Sequence, residues 1–135
     1  MLVMDAGTAV DLLLNRPNAF RIWDAWTAAD DATHAPELLD VEVLSAVRKL
    51  ELRAETTSAR AEEALADLRR LSIVRHPHAR LLPRAWELRA NITPYDGLYV
   101  ALTETLGEQA ALLTTDARLA RAVRQQSTAR VVLVA

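Results

Sequence analysis

Four acidic residues stand where their carboxylates could share one site. Asp5 follows the apolar segment "LVM", and Asp116 follows "ALLTT"; each directly precedes a stretch with helical periodicity. Glu42 and Asp96 lie within two other stretches of helical character. Carboxylate oxygens are the hard ligands that Mg²⁺ and Mn²⁺ prefer. Acids gathered in this way would therefore suit metal-assisted hydrolysis.

Three of these acids also have a purely structural interpretation. Aspartate is among the best N-cap residues, so Asp5 or Asp116 alone is better explained as a helix cap. Asp96 lies on the first turn of a helix that follows Thr93 and Pro94. This arrangement is close to a capping box, and an acid there suits the helix dipole. Capping alone would account for these three positions.

Glu42 differs because it lies well inside a predicted helix, where no cap is needed. The apolar stripe of that helix consists of Leu39, Val43, Ala46 and Leu50. Glu42 lies about 60° from the middle of the stripe at ~100° per residue, whereas Asp40 and Glu51 lie on the far side. A buried, unpaired carboxylate is costly. Glu42 therefore either reaches solvent, pairs with an arginine, or faces a cation.

The elements that would position these acids alternate between strands and helices, with Gly and Pro between them. The predicted strands are 2–4, 32–35, 72–76, 110–115 and 129–135. The predicted helices are 7–15, 18–30, 36–53, 56–71, 81–92, 94–107 and 117–126. This alternation predicts an α/β fold, in three α/β/α layers with a mainly parallel five-stranded sheet. Ligands collect at the carboxyl ends of such strands, where Asp5 and Asp116 would lie.

Two further helices have informative apolar faces. The predicted core stripe of helix 94–107 is Tyr95, Leu98, Tyr99, Leu102 and Leu106. Asp96 lies about 100° from its centre, at the border of the buried face. In helix 18–30, apolar residues including Phe20, Trp23 and Trp26 cover about half of the circumference. We expect two of these three aromatic residues in the core, and the width of the arc leaves room for a partner.

Length and composition restrict the class of protein. A chain of 135 residues fits a single domain, residues 1–135. No apolar stretch approaches the ~18 residues of a membrane span, and the N-terminal segment lacks the basic region of a signal peptide. The chain has no cysteine, which excludes disulfides and thiolate chemistry and favours a reducing, cytoplasmic location. The net charge of −2 argues against a generally basic nucleic-acid binder, but acids gathered in one pocket would leave the remaining surface positive.

Four segments together resemble the successive blocks of PIN-domain ribonucleases, most closely the VapC-type toxins of bacterial toxin–antitoxin pairs. The segments are "MLVMDAGTAVDLLL", "APELLDVEVLSAVRKL", "TPYDGLYVALTETLG" and "ALLTTDARLARA". The resemblance implies that the four catalytic acids of the family are Asp5, Glu42, Asp96 and Asp116 here. Many relatives carry Ser two residues after the first Asp, where this chain has Gly7, so Thr8 is an alternative source of a hydroxyl.

The resemblance implies a metal-dependent endoribonuclease that hydrolyses RNA phosphodiester bonds. Mg²⁺ usually takes one or two protein carboxylates and keeps several waters, so Asp5 and Asp96 are the expected ligands, with Mn²⁺ as a substitute metal. Thr114 matches the family's hydroxyl two residues before the last acid and is, with Arg118, an expected substrate-binding residue.

Basic residues could guide RNA into the acidic site. Arg118, Arg121 and Arg124 recur at three-residue intervals after Asp116, and "RHPHAR" at 75–80 is interpreted as a mobile basic loop. Phosphate contact and an ordinary solvated face are both open explanations. Members of the family also bind a small antitoxin, often around the N-terminal helical region, and usually form homodimers.

Two other α/β phosphate-handling classes fit poorly. A receiver-type domain needs an acidic pair after the first strand and a lysine at a late strand end, but Asp5 has no acidic neighbour and the only lysine is Lys49. A haloacid-dehalogenase-like phosphatase needs a second Asp where Gly7 stands. A PIN-like module that binds RNA or protein without cleavage remains an alternative.

Overall fold

Five short strands form one sheet in a computed structural model of the protein, which describes residues 1–29 and 31–134. The strands are β1 (Leu2–Met4), β2 (Thr33–Pro36), β3 (Ile73–His76), β4 (Ala111–Thr114) and β5 (Arg130–Leu133). They lie in the order β3-β2-β1-β4-β5, and every neighbouring pair is parallel. The predicted α/β fold is confirmed, with a sheet that is parallel throughout.

Helices connect the strands. They are α1 (Ala6–Leu13), α2 (Ala19–Ala28), α3 (Leu38–Leu52), α4 (Ser58–Arg70), α5 (Leu82–Glu87), α6 (Pro94–Leu106) and α7 (Ala117–Gln126), with a 3₁₀ turn at Ala79–Leu81. Helices α1, α3 and α4 contact one another, whereas α6 packs on β1, β2 and β4 and carries α5 on its surface. The chain moves along the sheet in one direction from β1 to β3 and in the other direction from β3 to β5. Because connections between parallel strands are right-handed, these two groups of helices lie on opposite faces of the sheet. No helix among the described residues is long and apolar enough to cross a membrane.

The strand order reverses direction at β1, which lies between β2 and β4. Met4 pairs with Leu113, so β1 and β4 end side by side at the same edge of the sheet. Parallel α/β proteins bind ligands at such a point, where neighbouring strands lead to helices on opposite faces. The topology therefore brings Asp5 and Asp116, which follow these two strands, to one place.

The predicted helix at 81–92 is too long. Helix α5 ends at Glu87, and residues 88–92 form turns in which Asn91 and Ile92 donate backbone hydrogen bonds to the Leu88 carbonyl. The chain turns there so that α6 can pack back against α5. The other predicted elements are confirmed with shifts of one or two residues at most ends. The predicted element ends at residues 30 and 135 lie outside the described residues.

Helix α6 is buried nearly all round rather than along one stripe. Every residue from Gly97 to Thr103 is buried. Tyr95, which the periodicity assigned to the core, is 60% exposed because it lines a groove open to solvent together with Leu82 and Trp86. The core prediction was therefore wrong at Tyr95 and correct for Leu98, Tyr99 and Leu102.

Gly97 permits the close approach of α5 to α6. A Cβ atom added there would lie 3.2 Å from the Ala85 Cβ and 3.3 Å from the Ala85 Cα. Both are tighter than ordinary van der Waals contact, and one of them is backbone. The glycine next to Asp96 is therefore part of what fixes the position of that acid relative to α5.

We expect Gly97→Ala to lower the free energy of unfolding by about 1–3 kcal/mol, because α5 must move to admit the methyl group. Urea denaturation measures this change. Gly7→Ala is the matched helical control, since its Cβ would meet nothing closer than the Thr115 Oγ1 at 3.8 Å. The control should be neutral or stabilising by up to about 1 kcal/mol. Equal effects of the two substitutions would contradict this account of Gly97.

Candidate active site

Asp5 and Asp116 both act as helix caps. The Asp5 Oδ1 accepts a hydrogen bond from the Thr8 N–H at 2.9 Å, at the start of α1. The Asp116 Oδ1 accepts from the Arg118 and Leu119 N–H groups at 2.9 and 3.1 Å, at the start of α7. The capping interpretation is thus correct for both. These bonds occupy Oδ1 in each residue, so capping does not exclude a second role for either carboxylate.

Asp5 is the most deeply buried of the four acids, with 7% of its surface exposed. Burial raises the pKa of its carboxyl above the ordinary value, and the charge of Asp116 raises it further. Hydrogen bonds from Thr114 and Thr8 act in the opposite direction by favouring the charged form. Asp5 therefore lies in an environment that opposes its ionisation unless a positive charge is near.

Thr114 connects the first acid to the last. Its side chain is fully buried and hydrogen-bonds to Asp5, and its Oγ1 accepts from the Asp116 N–H at 3.0 Å. Nearby, the hydroxyl of the buried Thr8 donates to the Leu113 carbonyl at 3.3 Å. The prediction that Thr114 binds substrate stays a prediction; its contacts in the structure are to the acids.

Glu42 is half-buried and bonded to α6. The Tyr99 hydroxyl donates to the Glu42 Oε1 at 2.8 Å, so the partner is a tyrosine rather than the arginine considered from the sequence. Burial raises the pKa of Glu42, the Tyr99 bond lowers it, and the charges of Asp96 and Asp5 raise it. Burial and the same carboxylates hold the pKa of the Tyr99 hydroxyl far above its usual range.

Asp96 lies on the capped first turn of α6 and also close to other acids. Thr93 is the N-cap of α6, and its Oγ1 accepts from the Asp96 N–H at 3.2 Å, as the capping motif predicted. The Asp96 carboxyl is nevertheless largely buried, and its pKa is raised first by burial and then by the charges of Asp5 and Asp116. Capping does not explain why this carboxylate lies close to other acids.

The four carboxylates therefore share one electrostatic neighbourhood. Asp5 interacts with Asp116, Asp96 and Glu42, and Asp96 interacts with Glu42 and Asp116. In residues 1–29 and 31–134, no three acidic or histidine side chains are grouped closely enough to form a complete metal cage. A hard cation that takes one or two carboxylates and keeps its waters fits such a site, because it needs no complete cage.

A polar cleft of about 480 Å³ opens beside the acids. Two acids, Asp96 and Asp116, line it together with Arg118, Arg121 and Gln125 of α7. The spacing of the three α7 residues puts them on one face of that helix. Of the predicted arginine row, the first two members thus line the cleft.

The predicted mobile basic loop at 75–80 is wrong. Arg75 and His76 belong to β3, and the Arg75 guanidinium makes two hydrogen bonds to Asp40, at 2.7 and 2.8 Å. The His34 Nδ1 and the His76 Nε2 lie 2.8 Å apart, and the His78 Nε2 accepts from the Leu38 N–H at 2.9 Å. The partners come from β2 and α3, which are distant in sequence.

The aromatic residues of α2 are more exposed than expected. Phe20 and Trp23 are 64% and 54% exposed, and only Trp26 packs against the core, so the expectation of two buried aromatic residues was wrong. Trp23 and Trp26 meet edge to face, with ring centroids 5.7 Å apart. Among the described elements α2 packs mainly on α1, which covers too little of its apolar arc.

Tyr99 is the functional candidate that sequence reasoning missed, because its position in the apolar stripe explained it as core. A signal was present, since a buried tyrosine hydroxyl needs a hydrogen-bond partner. The partner could not be identified without knowing that α3 and α6 meet.

The raised pKa values predict how the stability of the metal-free protein depends on pH. The folded state holds protons on Asp5, Glu42 and Asp96 more tightly than the unfolded state does, so stability falls as pH rises from the ordinary carboxyl pKa through the raised values. Asp96→Asn should therefore raise the metal-free Tm at neutral pH. This gain should exceed the lost dipole interaction of about 0.3–1 kcal/mol, and it should disappear near pH 4, where the acids are protonated.

Differential scanning calorimetry of metal-free protein at several pH values measures this effect. Asp40→Asn is an unsuitable control, although Asp40 lies on the far side of its helix from Glu42, because Asp40 pairs with Arg75. The exposed Asp24 of α2 is better, and Asp24→Asn should leave the pH dependence unchanged. A lower Tm for Asp96→Asn at neutral pH would show that Asp96 is mainly a helix-stabilising residue.

Comparisons with known proteins identify the family of the chain. The family model of the PIN domain matches residues 2–125. Ribonuclease VapC9 of Mycobacterium tuberculosis is 40% identical over 119 residues, covering 88% of each chain. Ribonuclease VapC3 of the same species is 43% identical over 123 residues, covering 89% of this chain and 85% of that protein.

Two solved structures share the fold. The crystal structure of VapBC2 from Rickettsia felis, bound to a DNA fragment from its promoter, superposes with a TM-score of 0.65 at 14% identity over 98% of both chains. PAE2754 from Pyrobaculum aerophilum superposes with a TM-score of 0.65 at 21% identity, covering 96% of this chain and 81% of that one. The chain therefore belongs to the PIN-domain family, in which its similar curated relatives are VapC ribonucleases.

Proposed function

We propose that this protein is a divalent-metal-dependent endoribonuclease that hydrolyses RNA phosphodiester bonds as the toxin of a toxin–antitoxin pair. The observation that carries the proposal is the gathering of four acids at the β1–β4 switch point, where Asp5 and Asp96 each interact with the other three. The stability of the fold does not explain this arrangement, because burying like charges together is unfavourable without a cation. Relatives that cover most of the chain are named ribonucleases.

Asp5 and Asp96 are the proposed ligands of Mg²⁺, with Mn²⁺ as a substitute. Both are short side chains at the ends of rigid elements, both are largely buried, and the charge of Asp5 raises the pKa of Asp96. A bound divalent cation would lower the pKa of a coordinated water and neutralise charge on the attacked phosphate. The same positive charge would favour the ionised form of both carboxylates.

Glu42 and Asp116 complete the catalytic set in this proposal. Each acts on water rather than as a principal ligand, by accepting hydrogen bonds that orient the attacking water or the waters around the metal site. The Tyr99 bond occupies Oε1 of Glu42, and the cap bonds occupy Oδ1 of Asp116. Their remaining oxygens would be used for water.

RNA would enter along the cleft beside α7. Arg118 and Arg121 line it together with Asp96 and Asp116, and guanidinium groups bind phosphate oxygens in pairs. Hydrolysis of a phosphodiester needs charge neutralisation and a nucleophile. The arginines would neutralise charge, and the acids beside them would orient the attacking water. Thr114 is still proposed to act in substrate binding, and it would do so through Asp5 and Asp116, which it connects.

A small antitoxin of the VapB kind is the proposed partner. Phe20 and Trp23 present apolar surface on α2 that the rest of the described chain leaves uncovered. Aromatic side chains of this kind are typical anchors in protein interfaces. We further propose that residues 1–135 act as one domain in the cytoplasm and that the protein forms a homodimer, as the family resemblance implies.

Purified protein freed of antitoxin should cleave structured RNA in Mg²⁺ or Mn²⁺ and stop in EDTA. Asp96→Asn should lower kcat by at least about 100-fold, because it removes a charged ligand, whereas Asp24→Asn should keep full activity. Sequencing RNA ends after brief expression of each variant identifies the cleavage sites. Cleavage that survives chelation would exclude the metal mechanism, and intact RNA with tight RNA binding would favour the module that binds without cutting.

The α2 surface should carry much of the antitoxin affinity. The gene next to this one should encode a short protein with a DNA-binding head, and Trp23→Ala should weaken its binding by about 30-fold or more, as expected for a central tryptophan. Trp86→Ala is the matched control, because Trp86 is 67% exposed on α5. Calorimetric titration measures both affinities; a greater loss in Trp86→Ala would place the antitoxin elsewhere.

A further inference from the structure

Each aspartate of the site is anchored by local hydrogen bonds, but Glu42 is not. The backbone N–H groups at the starts of α1 and α7 hold Asp5 and Asp116, and the Thr93 hydroxyl holds Asp96. Glu42 lies inside α3, where the backbone N–H groups are already used by the helix. Its carboxylate therefore needs a donor from another part of the chain.

The Tyr99 hydroxyl supplies that donor. Tyr99 is 1% exposed, and its Oη lies 2.8 Å from the Glu42 Oε1. The ring is held by the core, so the hydroxyl has a fixed position. A glutamate side chain has three rotatable bonds, and fixing it costs conformational entropy. A hydrogen bond to a rigid donor offsets part of that cost.

The anchor is built into the same helix as a proposed metal ligand. Tyr99 follows Asp96 by three residues in α6, so the two side chains are neighbours on the surface of that helix. Helix α6 thereby brings one acid into the site and holds another that comes from α3. The positions of Asp96 and Glu42 relative to each other depend on a single rigid element.

We propose that Tyr99 is a positioning residue of the acidic site, whose hydroxyl fixes the Glu42 carboxylate relative to Asp5 and Asp96. The inference rests on the proposed metal-dependent function. Tyr99 acts through Glu42 and does not contact the substrate. Loss of the hydroxyl leaves Glu42 free to rotate toward solvent, which weakens both its attraction for the cation and its hold on water.

Tyr99→Phe tests the proposal because it keeps the buried ring and removes only the hydroxyl. We expect kcat for RNA to fall by about 10–100-fold, the range typical of residues that orient metal-site groups, with KM for RNA unchanged. Tyr95→Phe is the matched control in the same helix, since Tyr95 is 60% exposed. It should leave both constants unchanged.

A double-mutant cycle on Mn²⁺ affinity separates positioning from packing and needs no RNA. Titration of antitoxin-free protein with Mn²⁺ should show weaker binding, by about 10-fold, in Tyr99→Phe. In the Glu42→Ala background the same substitution should have no further effect. An equal loss in both backgrounds, or unchanged Mn²⁺ affinity in Tyr99→Phe, overturns the proposal. If the unsubstituted protein binds Mn²⁺ but cleaves no RNA, the proposed function fails and the cycle still decides the role of Tyr99.

Discussion

The structure depends on keeping several carboxylates together at one edge of the sheet, with Asp5 buried and with Glu42 and Asp96 partly buried. Asp5 is buried at the end of the central strand, and the charge of Asp116 raises its pKa further. Such a group destabilises the folded state unless donors surround it. Thr8, Thr114 and Tyr99 provide those donors, each directed at one of the acids. These donors hold the unfavourable negative charges in place.

Capping a helix and belonging to the acidic cluster are compatible roles here. Asp5 and Asp116 cap α1 and α7 because each stands between a strand end and a helix start. The positive end of each helix dipole favours the negative charge of its cap. The parallel sheet then places both helix starts at one edge. Each aspartate that caps a helix is thereby also placed in the shared acidic cluster.

Arginines with similar neighbouring sequence have different roles in the folded chain. Arg75 makes a double hydrogen bond to Asp40 and is a structural tie between β3 and α3. Arg118 and Arg121 line the cleft beside the acids. Nothing in the neighbouring sequence separates these cases, since the difference comes from which element lies opposite. The aromatic residues of α2 follow the same rule, because their exposure depends on how little of the helix α1 covers.

The sequence by itself determined the α/β alternation, the helix bounds of α7, the caps at Thr93, Asp5 and Asp116, and the border position of Glu42. These follow from periodicity and cap chemistry, which act over a few residues. Tertiary structure alone decided the exposure of Tyr95, the pairing of Asp40 and the Tyr99–Glu42 bond. Each depends on how elements that are far apart along the chain pack together. Such contacts depend on which faces pack together, and a local pattern carries no information about the partner of a side chain.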